Sequence, residues 1–311
     1  MVPFQIRLLG KIQIFDDDQT TISLPLKAQE LLVYLFIHCN QPHDREKLSA
    51  QLWPDIPERR SKKYLRQALW QLQNALTVSD DPQNTIVQLE GSWVQLILGN
   101  NLHIDADEFY RAFMQVRDLP ATAMSAAQLT AVSRAVKLYR GEFVTGWYHD
   151  WCLLERERLQ SMFLVMLDKL IDHCLANQQF EHGIEYAMQI LRYDKARERS
   201  QRRLMRLYYL ADNRTAALRQ YEQCVVALMQ ELNVKPSRKT VALYQHIQAD
   251  KGRDLADLTI PDVLPASAKL PNAASLMDML QSIQTNIAAM RQEMQSLKQD
   301  LNRTKDVSAD T

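Results

Sequence analysis

Residues 59–76, RRSKKYLRQALWQLQNAL, hold the densest set of groups able to act on a charged partner, since five of the eight residues from Arg59 to Arg66 are basic. Lys and Arg pair with phosphates, Arg can fork onto guanine, and Gln or Asn can read adenine in the major groove. Wound as a helix, the stretch lines up Leu65, Ala68, Leu69, Leu72 and Leu76 at three- and four-residue steps as one buried stripe. The opposite side then presents Lys63, Arg66, Gln67, Trp70 and Asn74, with Arg59, Arg60 and Lys62 at the N-terminal end. The cations at that end suit phosphate contacts, and Arg66 and Gln67 suit base reading. The competing reading is a solvated helix face without a partner.

No comparable set exists for catalysis or metal binding. The histidines His38, His43, His103, His149, His173, His182 and His246 are scattered, none in an HExxH pattern or beside paired cysteines, so no metal is expected. His149-Asp150-Trp151-Cys152 places a thiol near an imidazole along the chain, but sequence neighbours do not supply triad geometry. No G-x-x-x-x-G-K-[ST] run occurs, and seven glycines leave little from which to build a phosphate cradle. No catalytic residue and no cofactor is therefore expected, and the chain reads as something other than an enzyme. Trp147, Tyr148 and Trp151 read as packing between helix pairs, with an aromatic partner contact as the alternative.

The basic helix needs a scaffold that holds it outward, and the first hundred residues supply the pattern for one. Phe4, Ile6 and Leu8 alternate with polar residues, Ile12 and Ile14 repeat this after Gly10, and Thr21, Ile22 and Leu24 suggest a short third strand beyond the turn at 16–19. An amphipathic helix is predicted over 26–39, with Ala28, Leu31, Leu32, Leu35 and Phe36 inward. A shorter one follows over 44–53, with Asp44 as its N-cap. Pro54 and Pro57 lead into the basic helix. The β-rich runs 85–89 and 93–98, separated by Glu90-Gly91-Ser92, suit a hairpin. Small sheet, three helices and hairpin is the order of a winged helix-turn-helix, whose third helix enters the major groove. Arg45 and Lys47 would clamp the DNA backbone, and Ser92 lies in the wing, whose tip at Glu90 to Trp93 lacks Lys or Arg.

The bulk composition narrows the rest. At 311 residues, two or three domains are expected. The 37 basic residues balance 37 acidic ones, so any nucleic-acid contact must be local rather than a general coating. Cys39, Cys152, Cys174 and Cys224 show no paired ligand spacing and suit a reducing compartment. The opening MVPFQIRLLGKIQIF lacks the apolar core and cleavage site of a secretory signal, and no run approaches a membrane span, so a cytoplasmic protein with no membrane partner is expected.

Residues 102–250 are nearly all helical pattern, with helices expected at 105–116, 125–139, 150–176, 180–191, 197–210, 215–232 and 237–247. A shift of 35 superposes Leu175-Ala176-Asn177 on Leu210-Ala211-Asp212 and Tyr186 on Tyr221, close to the tetratricopeptide period. Residues 251–274, with three prolines and many small side chains, read as a linker. Beyond it, Leu276, Ile283, Met290 and Leu297 lie seven apart, with Leu280, Ile287, Met294 and Leu301 four residues behind them. That spacing over 275–305 predicts a coiled coil, favouring a parallel homodimer, with a helix packed on its own chain as the alternative.

Several segments resemble a known family. FQIRLLG from Phe4, LKAQELLVYLF from Leu26, REKLSAQLWPD from Arg45 and LRQALWQLQNAL from Leu65 resemble the winged helix of response-regulator type transcription factors. HIDADEFYRAF from His103, LYRGEFVTGWYHDWCLLERERL from Leu138 and ALRQYEQCVVALMQELNVKPSRKTVALYQHI from Ala217 resemble a bacterial transcriptional activator domain (BTAD). The pairing is similar to the Streptomyces antibiotic regulatory protein (SARP) family. Many relatives carry several arginines late in the third helix, where this chain has Gln71, Gln73 and Asn74.

The fold expected is thus mainly α: a winged helix-turn-helix (α+β) over 1–101, an all-α tetratricopeptide-like activator domain over 102–250, a linker, and a coiled-coil helix. The function expected is a transcriptional regulator that binds double-stranded DNA, an activator as the resemblance implies, with a helical domain for dimerisation or RNA polymerase contact. The alternative is an interaction adaptor that uses the helical repeat and coiled coil without touching DNA.

Overall fold

The computed structural model describes residues 4–39, 41–76, 86–98 and 102–250. The linker at 251–274 and the heptad positions from Leu276 to Leu301 lie outside these residues, as does the turn at 79–82.

Two small sheets frame the N-terminal part. In the first, β1 (Phe4–Arg7) pairs antiparallel with β2 (Gln13–Asp16) and parallel with β6 (Leu102–Ile104), giving the order β2-β1-β6. The alternation expected of β1 is present: Phe4 and Ile6 are buried and face the core. The third strand expected at 21–24 is reduced to one bridge between Thr21 and Phe15. That segment lies against β2, and the free edge of β1 is filled by β6, from far along the chain. In the second sheet, β3 (His43–Asp44), β5 (Trp93–Leu96) and β4 (Val87–Glu90) lie in the order β3-β5-β4.

Between the sheets come α1 (Leu26–Ile37), α2 (Arg45–Leu52) and α3 (Glu58–Ala75). Helix α1 is the central one, with Ala28, Leu31, Leu32, Val33 and Leu35 almost fully buried. Its Glu30 is buried too and is held by Lys27 at 2.7 Å. Asp44 caps α2 as predicted, its carboxylate accepting from the N–H groups of Glu46 (2.9 Å) and Lys47 (3.2 Å) and satisfying two otherwise orphaned donors.

The remaining helices are α4 (Asp105–Val116), α5 (Ala126–Leu138), α6 (Asp150–Ala176), α7 (Phe180–Tyr193), α8 (Glu198–Leu210), α9 (Arg214–Leu232) and α10 (Arg238–Gln248). From α4 to α10 each packs mainly on its sequence neighbours. Gly183 in α7 shows why α7 and α8 can approach closely: a Cβ there would lie 2.7 Å from Leu207 Cδ2. Among the described residues no helix is long and apolar enough to cross a membrane.

The first sheet is locked to the helices that follow it. Asp105, buried at the start of α4, accepts a hydrogen bond from Leu8 N–H at 2.7 Å and another from Leu9 N–H, and pairs with Arg140 at 2.8 Å. Burial raises its carboxyl pKa, opposed by those two N–H groups and by the arginine. Val144 N–H donates to Leu8 O (2.8 Å) and Gly10 N–H to Glu142 O (3.1 Å), so the loop after α5 adds to the sheet edge. Arg156 of α6 holds that loop through the carbonyls of Phe143 and Trp147.

The aromatic run before α6 packs differently from the sequence expectation. Trp151 stacks on His149 with ring centres 5.2 Å apart and meets Tyr34 of α1 edge-on at 5.4 Å. It therefore fills the seam between α1 and α6 rather than a gap between later helix pairs, while Tyr148 is 79% exposed.

Candidate nucleic-acid interface

Helix α3 begins after Pro57, whose fixed φ of −54° suits the approach to a helix, and carries Glu58 in its first turn, where a carboxylate complements the helix dipole. Its inner face is Ser61, Leu65, Ala68, Leu69 and Leu72, all buried against α1 and α2. That leaves one outer face. Arg59, Arg60, Lys63, Arg66, Gln67, Trp70 and Asn74 are all exposed on α3, and Trp70 keeps 65% of its surface open. The structure thus gathers on one face every α3 residue singled out from the sequence except Lys62.

Lys62 is different. It lies between two carboxylates, Glu46 of α2 at 2.6 Å and Glu58 of its own helix at 2.7 Å, and hydrogen bonds to these two raise its pKa. The residue therefore ties α2 to α3 and has less of its charge to offer a phosphate. Sequence spacing could have suggested Glu58, four residues earlier, but not Glu46 from another helix.

The hairpin stands beside this face. Glu90 pairs with Trp93 across a two-residue turn in which Gly91 takes the left-handed φ of +56°, a glycine-first geometry suited to tight hairpins. Arg45 N–H donates to Ser92 O at 2.9 Å, and Asp44 pairs with Trp93, so the wing tip is anchored to the start of α2. Gln73 of α3 donates to Val87 O at 3.3 Å, tying helix to wing. Lys47 and Ser92 are exposed, whereas Arg45 is half-buried. The tip also exposes Trp93 (48%), a second open indole that sequence reasoning placed in the wing without assigning it a role.

Burial pushes the Cys152 thiol up to about 12, which disfavours the reactive thiolate. Among the described residues no group of three His, Cys, Asp or Glu side chains is placed to hold a metal ion.

Residues 104–248 match the family described as Bacterial transcriptional activator domain. Over 248 residues the chain is 22% identical to the transcriptional regulatory protein MoaR1 of Mycobacterium bovis and, equally, of Mycobacterium tuberculosis, covering 78% of this chain and 78% of each relative. Among solved structures it is similar in fold to Mycobacterium tuberculosis EmbR in complex with a low affinity phosphopeptide. The TM-score is 0.61 at 19% identity, over 82% of this chain and 67% of that one. Residues 104–248 thus match a bacterial transcriptional activator domain, and over most of its length the chain is similar to bacterial transcriptional regulators.

Proposed function

We propose that the chain binds double-stranded DNA in a sequence-specific way, with α3 in the major groove and the β4–β5 hairpin as its wing. The observation that carries this is the sorting of α3 into one buried apolar face and one exposed face bearing Lys63, Arg66, Gln67, Trp70 and Asn74. Arg59, Arg60 and Lys63 contact phosphates, and Arg66 and Gln67 read base edges. Lys47 and Arg45 at the start of α2, with Ser92 of the wing, meet the backbone alongside, and Lys62 contributes through the position it gives α3. In this reading residues 1–101 are the DNA-binding domain and 102–250 the activator domain, which supports dimerisation or contacts RNA polymerase. Residues 251–274 are the linker and 275–305 a coiled coil that pairs two copies. The protein acts in the cytoplasm as an activator, without a cofactor.

The test is a gel shift on the upstream region of its own operon at several salt concentrations, comparing the wild type with Lys63→Ala/Arg66→Ala. Loss of retention is expected, together with a shallower salt dependence, because each phosphate contact adds about 0.9 to the slope of log affinity against log salt. Unchanged retention by a folded double mutant would favour the adaptor reading instead.

A further inference from the structure

Away from the α3 face, two neighbouring cavities differ in how their charges are met. The first, about 620 Å³ between β6, α4 and α5, contains Asp107, Glu108, Arg111, Arg134 and His103. Its charged groups satisfy one another: Asp107 pairs with Arg111, and Glu108 meets both Arg134 (2.6 Å) and His103 (2.9 Å). That cavity has no call for an outside ion.

The second, a groove of about 480 Å³ across α5, α6 and α7, shares only Thr130 and Arg134 with it. Its lining includes Lys137, His173 and His182 and not one carboxylate, while Arg134 at its edge is already engaged by Glu108. In a chain whose basic and acidic residues balance at 37 each, that is a local excess of donors over acceptors. Lys137 is exposed and makes no salt bridge among the described residues, and His182 is likewise exposed. The floor, by contrast, is apolar: Leu129, Leu170 and Cys174. Burial pushes the Cys174 thiol up to about 11, so it behaves there as a small neutral side chain. Half-buried Tyr186 closes one side with a ring that offers both an apolar face and a hydroxyl.

We propose that this groove binds an acidic peptide segment of a partner protein, with a carboxylate on Lys137 and an apolar side chain on the floor. Charge complementarity selects the acidic character, and the apolar floor selects a segment in which acidic and aliphatic residues alternate. A groove open along three helices accommodates a chain passing through it, whereas an enclosed chamber would suit a small molecule. The inference is independent of DNA binding by α3.

The experiment uses the full chain and a short fluorescein-labelled peptide in which leucines are separated by pairs of glutamates, with binding followed by fluorescence polarisation. Saturable binding is expected, weakened about tenfold by Lys137→Glu, which turns an attractive pair into a repulsive one. Lys235→Glu, an exposed charge reversal on the loop between α9 and α10, is expected to leave it unchanged. A matching melting temperature for Lys137→Glu and wild type separates loss of binding from loss of fold. Equal binding of the same peptide with glutamine for glutamate overturns the proposal, as does equal binding by Lys137→Glu, or equal weakening by Lys235→Glu.

Discussion

Helix α3 carries Arg59, Arg60, Lys62, Lys63 and Arg66 within its first half, and the stretch entering α8 carries Arg197, Arg199, Arg202, Arg203 and Arg206 over a similar length. As sequence the two look alike. In the structure they do opposite things: the α3 cations stand in solvent apart from Lys62, while Arg202, Arg203 and Arg206 are 7%, 3% and 8% exposed. What separates them is the supply of carboxylates from other helices. Asp168 and Asp172, one turn apart on α6, receive Arg203, with Asp172 at 2.6 Å, and Asp168 also takes Arg197 at 2.7 Å. Glu198 sits near Arg202 and accepts from Ser237 and Thr240 at the start of α10. Burial alone would raise Glu198, but those hydrogen bonds outweigh it and hold the carboxyl below its ordinary range. A cation counts towards an interface only where the fold brings that cation no acid.

The largest expected effect tests the buried side of the comparison. Arg203→Ala leaves Asp168 with only Arg197 and Asp172 with the nearby charge of Arg199. Removing one member of a buried pair typically costs 3–5 kcal/mol, and the retained Arg197 places this case near the lower end, about 3 kcal/mol. At about 2–4 °C per kcal/mol for a chain of this size, the melting temperature should fall by roughly 6–12 °C. A drop below about 2 °C would mean that the α8 arginines are as dispensable as surface charges.

The α3 side should respond in affinity instead. Arg66→Ala is expected to cost roughly 1–3 kcal/mol in operator binding and to relax preference at one base pair, with the melting temperature unmoved. Binding isotherms on singly substituted operators read the first, and thermal denaturation the second. A stability loss like that of Arg203→Ala would show Arg66 to be structural and erase the contrast between the two helices.

A smaller effect probes why α8 is buried at all. Gly183→Ala places a methyl 2.7 Å from Leu207, a residue that is itself fully buried. Alanine improves helix propensity by up to about 1 kcal/mol, and overpacking costs roughly 1–3, so a net loss of about 1 kcal/mol is expected in chemical denaturation. A stabilised variant would show that α7 and α8 have slack between them.

These cases show what was legible beforehand. The helix bounds were, because period and punctuation are local: Asp105–Val116 and Asp150–Ala176 fall on the residues expected. The two faces of α3 were legible for the same reason. Pairings between distant segments were not. Nothing local in Leu102-His103-Ile104 says that it lies beside Phe4-Gln5-Ile6, or that Asp105 caps the N–H groups of Leu8 and Leu9. The partners of Arg203 were hidden too, since Asp168 and Asp172 lie 35 and 31 residues away. Trp151 gave its aromatic character but not its neighbour, because α1 lies on the far side of the winged helix in sequence.

The finest distinction lies within α3 itself, between Lys62 and Lys63. Both are lysines in the same turn, so a purely compositional view gives them equal weight on DNA. The structure gives Lys62 two carboxylates within 2.7 Å and leaves Lys63 exposed. Lys63→Ala should therefore lower the salt slope by about 0.9, while Lys62→Ala should lower it by clearly less. Because a phosphate must displace Glu46 and Glu58 to recruit Lys62, adding Glu46→Gln should make Lys62 more available and steepen the slope of the otherwise wild-type protein. Measured across salt on one operator fragment, equal slopes for the two alanine variants would mean that the ion pairs open freely on DNA. In that case exposure, rather than pairing, would decide which cations of α3 count.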